Sequence, residues 1–245
     1  DTDWVLLESD LKGAELYGMA IMSGSKKMIE HAKRSIDFPD EGYDITGKEK
    51  CTCGKGGGVD SDCKTHRYPH EGYYDIHSNV AVMAFKLTCH PSKAGLKDAG
   101  KAHIRNIAKT VIFGIAYGRQ AKAIALAAKE QRKKGEPEVT VEDAQAVINA
   151  VFEMYPELVP FFAEARERAL NQRWLCNCFG RLRRFPLASD YKLEGEFERQ
   201  AMNYPIQSMI ASLVDRWLST MHLARERLLP KLGEYLFQWQ LQIHD

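Results

Sequence analysis

RNIAKTVIFGIAYG, residues 105–118, is the stretch on which the reading of this 245-residue chain turns. Arg105, Lys109, Phe113 and Tyr117 recur at every fourth position. On a helix of about 3.6 residues per turn they form one slowly drifting stripe, two cations followed by two aromatics. Ile107, Ala108, Val111, Ile112 and Ile115 make an apolar back that would anchor the helix. Such a face can hold a polyphosphate through charge-assisted contacts and offer a ring to a base. It also suits a solvated basic helix whose rings belong to a core, so the neighbouring sequence has to choose between the two.

Composition narrows the field. The chain is 44% hydrophobic and 27% charged, in the range of a globular protein with a sizeable core. Its formal net charge of +1 gives no overall excess that would announce nucleic acid, so any basic surface must be local. Two local excesses exist: Lys101, His103, Arg105 and Lys109, and then Arg166, Arg168, Arg173, Arg181, Arg183 and Arg184. No leader pattern is present and no apolar run approaches the ~18 residues of a membrane span, which leads us to expect an intracellular protein. Six cysteines are too few for a disulfide scaffold at this length and read as thiols or metal ligands.

On either side of the stripe the pattern is largely helical. Asp75, Ile76 and His77 precede a helical stretch over 78–87; Asp98 is placed to cap the stripe helix and Gly118 to stop it. An alanine-rich helix over 120–134 ends at the breaker 135–137. Thr140 and Asp143 resemble a capping box with the shorter acid, opening a helix that ends at Pro156. A helix over 157–172 follows, then a hairpin over 174–185 turning near Gly180, with Cys176 and Cys178 read as strand residues. A long helical pattern over 196–229 contains Pro205, which should kink or break it. Within it Arg199, Asn203 and Gln207 again sit at fourth positions, three hydrogen-bonding side chains suited to acceptors along a nucleic-acid minor groove.

The two ends carry carboxylates. Trp4 to Leu7 reads as a buried strand leading to Asp10, and a helix over 14–22 follows with Glu15 in its first turn, where the helix dipole favours an acid. Residues 235–245 alternate strictly, with Phe237, Trp239, Leu241 and Ile243 on one side and Gln238, Gln240, Gln242 and His244 on the other, before ending at Asp245. Two remote strands could thus deliver Asp10 and Asp245 to one edge. Neighbouring carboxylates repel unless a cation lies between them, and hard oxygen ligands suit Mg²⁺. Between the N-terminal helix and Tyr74 periodicity is weak. There Cys51, Cys53, Cys63 and His66 could hold a structural Zn²⁺, although the first pair has one intervening residue where such sites usually have two to four.

Four motifs taken together are specific. Asp10-x-x-Gly13-x-Glu15-Leu16 resembles motif A of the family A DNA polymerases, the DNA polymerase I family. Arg105, Lys109, Phe113, Tyr117 and Gly118 match that family's motif B throughout. Arg199, Asn203 and Gln207, and then Gln242, Ile243, His244 and Asp245, match its later motifs in the right order. The tripeptide at 75–77 sits where the family often has the same three residues.

The resemblance implies an α+β fold: a polymerase palm, an antiparallel sheet with helices, joined to mostly α-helical fingers, in an incomplete right hand lacking its thumb. It divides the chain into palm with motif A (1–22), a cysteine- and glycine-rich insertion (23–74), fingers with motif B (75–170) and palm ending at motif C (171–245). It implies template-directed DNA synthesis with two Mg²⁺ held by Asp10 and Asp245, and Lys109 as a catalytic cation. The dNTP would meet Glu15, His77, Arg105, Lys109, Phe113 and Tyr117, with Glu15 as the gate against a ribose 2′-hydroxyl. Primer-template DNA would meet Arg199, Asn203, Gln207, Gln242 and His244. Gly13 in motif A places the chain nearer the phage branch. The missing glutamate after Asp245 leads us to expect that a complementary segment supplies the rest of motif C and that this segment alone does not extend a primer. A single-subunit RNA polymerase core and a noncatalytic zinc-containing DNA-binding module are the alternatives.

Overall fold

The computed structural model describes residues 11, 13–37, 72–130, 137–186 and 193–232. Among them lie nine helices and one two-stranded antiparallel sheet. The helices are α1 (Ala14–Ser23), α2 (Lys26–Asp37), α3 (Ile76–Ala84), α4 (Lys93–Asp98), α5 (Ala102–Ala116), α6 (Ala121–Glu130), α7 (Val141–Met154), α8 (Leu158–Asn171) and α9 (Glu194–Leu232). The sheet pairs β1 (Trp174–Cys176) with β2 (Leu182–Arg184), Leu175 opposite Arg183.

The stripe helix is α5, and its apolar back is the centre of the core. Ile104, Ile107, Ala108, Val111, Ile112 and Ile115 are all buried, and α5 packs against α3, α4, α6, α7, α1 and α9. Burying each large aliphatic side chain contributes about 1.5–3 kcal/mol, so this one face fixes the helix firmly while its stripe stays at the surface of the packing. The same core continues through Val147, Val151, Tyr155, Leu158 and Phe162 of α7 and α8. Thr140 and Asp143 do form the reciprocal capping box at the start of α7.

Helix α9 crosses the molecule and takes α1 and α8 on its flanks. It comes close to α1 because position 18 has no side chain: a Cβ on Gly18 would lie 2.7 Å from Ile206 Cγ2. Pro205 does not break α9; it is buried, and packing against α1 and α8 outweighs the lost backbone bond. Two further local expectations are corrected. Asp98 ends α4 rather than capping α5, whose N-cap position is Lys101 with no side-chain cap bond. Cys178 lies in the turn between the strands, because the hairpin loop begins at Asn177, whose side chain accepts from the Phe179 and Arg181 amides at 2.9 and 3.0 Å.

The weak-periodicity region also holds a helix. In α2, Met28, His31 and Ala32 share a buried face, and the cationic opposite face masks this period in a composition-based reading. The expected strands at Trp4 to Leu7 and over 235–245, and the candidate zinc ligands Cys51, Cys53, Cys63 and His66, lie outside the described residues. No single helix among the described residues is long and apolar enough to cross a membrane.

His31 gives the core a pH dependence. Its ring stacks on Tyr74 with centroids 3.7 Å apart, and its Nδ1 lies 2.9 Å from the Tyr155 hydroxyl. Burial first, then Lys27 and Arg34, push its pKa down from 6.5 to about 4, against a smaller opposing pull from Glu30. The folded state therefore resists a proton that the unfolded chain accepts. Stability is complete above about pH 6.5 and declines as pH falls toward 4, by about 1–3 kcal/mol for a displacement of that size. Urea unfolding at pH 7.5 and 4.5 should show this decline in the parent chain and a smaller one in His31→Gln; equal declines would remove the assignment.

Candidate nucleotide and nucleic-acid site

Three helices converge on the stripe. Arg105 and Lys109 lie in the first half of α5, Phe113 in its last turn and Tyr117 at its C-cap, and α3 brings His77 alongside. The His77 and Phe113 rings are 6.1 Å apart at 33°. Lys109 Nζ lies 5.7 Å from the Phe113 centroid, over the ring. Asn106, Lys109, Thr110, Phe113, Tyr117 and Arg119 line a groove of about 420 Å³, within the usual range for small-ligand sites.

At the cationic end, Arg105 is not a bare charge. Its Nε donates to Asp75 Oδ2 at 2.7 Å and lies 3.2 Å from Ser78 Oγ. Asp75 is buried at the N-cap of α3, where its Oδ1 accepts from the His77 amide at 3.2 Å and faces His77 Nδ1 at 3.4 Å. Burial alone would raise this carboxyl. Hydrogen bonds from His77 and Arg105, the Arg105 charge and the Ser78 hydroxyl prevail and hold it well below the usual carboxylate range. Lys109, by contrast, is exposed, and no carboxylate among the described residues pairs with it.

At the aromatic end α5 meets α9. Gly118 has φ +66°, and a Cβ there would lie 3.0 Å from Arg199 Cα and 3.3 Å from Arg199 O, so both backbone conformation and close approach demand glycine. The approach brings Gln207 Nε2 within 3.1 Å of the Tyr117 hydroxyl, to which it donates. Arg199, Asn203 and Gln207 thus border the stripe. Asn203 Oδ1 and His77 Nε2 are buried polar atoms without hydrogen-bond partners, which native structures rarely leave unexplained. Glu15 is half-buried in the first turn of α1, a helix that packs on both α5 and α9.

The basic segment expected after α8 is a second surface. Arg181 pairs with Asp215 at 2.6 Å, Arg183 donates to Gln200 at 2.6 Å, and the Arg168 guanidinium lies 5.5 Å over the exposed Trp174 ring. A groove of about 390 Å³ runs between Arg173, Trp174 and Arg184.

Of the expected site residues, the structure brings together His77, Arg105, Lys109, Phe113 and Tyr117, with Arg199 and Gln207 beside them and Asn203 between those two on α9. Asp10, Asp245, Gln242 and His244 lie outside the described residues. Among the described residues no three His, Cys, Asp or Glu side chains gather closely enough to hold a metal ion. Sequence reasoning did not assign Asp75 a role, nor Asn106, Thr110 and Arg119, although Asn106 and Thr110 lie next to stripe positions on the helix and could have been found from that.

A family model described as DNA polymerase family A matches residues 1–245. The chain is 30% identical over 210 residues to the DNA polymerase of Escherichia phage T5, a match covering 81% of this chain and 20% of that protein. It is 33% identical over 173 residues to the thermostable DNA polymerase I of Thermus thermophilus, covering 70% of this chain and 18% of that one. A solved structure, the POL domain of Pol1 from M. smegmatis in complex with DNA primer-template and dNTP, aligns with 19% identity and a TM-score of 0.49, over 81% of this chain and 26% of that one. The chain spans about a fifth of the length of the curated relatives it matches.

Proposed function

The chain belongs to DNA polymerase family A, and from that premise we propose that it forms the palm-and-fingers part of an enzyme for template-directed DNA synthesis. The primer 3′ oxygen attacks the α-phosphorus of a dNTP, the bond to the β-phosphate breaks, and pyrophosphate leaves. The observation that carries this reading is the groove on α5, where Lys109, Phe113 and Tyr117 stand in line with Arg105, His77 comes in from α3, and Gln207 borders the far end.

In this reading residues 75–170 are fingers, and 1–22 and 171–245 belong to the palm. Arg105 and Lys109 compensate the charge of the triphosphate, the Phe113 and Tyr117 rings pack on the incoming sugar and the templating position, and Glu15 excludes a 2′-hydroxyl. Arg199, Asn203, Gln207, Gln242 and His244 contact the duplex through acceptors that correct pairs present at similar minor-groove positions. Asp10 and Asp245 are the carboxylate pair fitted to Mg²⁺, the cation family A enzymes generally use, which supplies Lewis-acid stabilisation of the reacting oxygens when bound. The similarity to a phage DNA polymerase is in keeping with the reading of Gly13 in motif A as nearer the phage branch.

A primer-template with a single-stranded overhang, Mg²⁺ and the polymerase that carries this chain test the reading directly. Extension with dNTPs and discrimination of at least about a hundredfold against ribonucleotides are expected. Equal use of both sugars would favour an RNA polymerase, and DNA binding without extension a noncatalytic module.

A further inference from the structure

We propose that Asp75 is a positioning residue, a buried carboxylate that orients the Arg105 guanidinium and the His77 ring together toward the triphosphate. The inference rests on the function proposed above and concerns how that site is held.

Capping α3 does not require an acid. One oxygen accepting the His77 amide suffices, and serine, threonine or asparagine would do it equally well. What only a carboxylate can do here is use its second oxygen at the same time. Asp75 Oδ2 takes Arg105 Nε and the Ser78 hydroxyl, each at 2.7 Å, while Oδ1 faces His77 Nδ1 at 3.4 Å. Asp75 is 5% exposed and the Arg105 side chain 20%, so the pair sits in a poorly screened setting where geometry is enforced.

The bond pattern also says which atoms remain. Holding Arg105 by Nε leaves the two terminal amino groups of the fork for an oxyanion, the arrangement in which arginine recognises phosphate with two parallel donors. His77 Nδ1 lies 3.4 Å from the same carboxylate, and its Nε2 is buried without a hydrogen-bond partner. One carboxylate thereby faces two groups from different helices, of which Arg105 lies 30 residues away in sequence. Lys109, a single flexible charge without such a tether, supplies attraction; Arg105 supplies aim.

Asp75→Asn separates this role from capping, since the amide still accepts the His77 N–H but turns a donor or a neutral oxygen toward Arg105. In the polymerase that carries this chain, KM for dNTP should rise about tenfold with kcat changed no more than about twofold, and primer-template affinity should stay within about twofold. A purely structural residue would lower the thermal midpoint and weaken DNA binding along with nucleotide binding. In an Arg105→Ala background the same substitution should add at most a further two- to threefold, the share carried by His77. Arg105→Lys leaves the cap untouched and removes the Nε contact, so it should reproduce the KM defect and decides the matter even if Asp75→Asn folds poorly. A dNTP KM within twofold of the parent in Arg105→Lys, or in well-folded Asp75→Asn, overturns the proposal while Arg105→Ala still raises it. If Arg105→Ala itself leaves KM unchanged, the nucleotide-site reading falls instead.

Discussion

Asp10→Ala should abolish primer extension, by about a thousandfold or more at saturating nucleotide and Mg²⁺, while primer-template binding changes by less than about threefold. The size follows from the role. A carboxylate that holds a divalent cation contributes where charge develops on the attacking and leaving oxygens, so its loss acts on the transition state and hardly on the ground-state duplex. Asp245→Ala should behave in the same way, and the double variant should be little worse than either single one, because two ligands of one site act as a unit. Single-turnover extension, gel-shift affinity and a thermal midpoint measured on the same preparations separate catalysis from folding. Extension within tenfold of the parent in either variant would remove the metal role and with it the two-carboxylate reading of the chain's two ends.

The legibility of this molecule in its sequence follows from the range of the interactions concerned. The α5 stripe was legible because helical period places Arg105, Lys109, Phe113 and Tyr117 together with no help from the rest of the fold, and the buried back at Ile107, Val111 and Ile112 is the same period seen from inside. Thr140 and Asp143 were legible for the same local reason. The pairings that complete the site are not local. Nothing at position 75 announces that its carboxylate will meet Arg105, since the cap alone explains an aspartate there. Likewise the 90-residue reach from Gln207 to Tyr117 depends on α9 closing onto Gly118. Helix α2 escaped notice because its buried Met28, His31 and Ala32 are spaced by lysines, glutamate and arginine in a glycine-poor island of an otherwise glycine-rich region. Asp98 misled because a residue type suited to capping occupies the last position of α4, just before the Lys101 N-cap of α5.

Lys109→Ala should cost about a hundred- to a thousandfold in the rate of nucleotide incorporation at saturating dNTP, with folding stability unchanged within about 0.5 kcal/mol. Lys109 and Arg105 differ in what surrounds them. Arg105 is already neutralised by a carboxylate at 2.7 Å, so removing it takes away directed hydrogen bonds more than net charge. Lys109 is exposed and has no such counter-ion among the described residues; its Nζ lies 5.7 Å from the Phe113 ring centroid, a weak, exposed cation–π contact. In the proposed reading that charge, unpaired with any carboxylate among the described residues, faces the triphosphate. As pyrophosphate leaves, negative charge grows on the oxygens beside it, and an uncompensated ammonium lowers that barrier in proportion. Lys109→Arg should recover part of the rate because charge is kept, whereas Lys109→Met, which preserves the packing over Phe113, should be as slow as Lys109→Ala. Recovery by Lys109→Met instead would mean that the side chain acts through the ring and not through its charge.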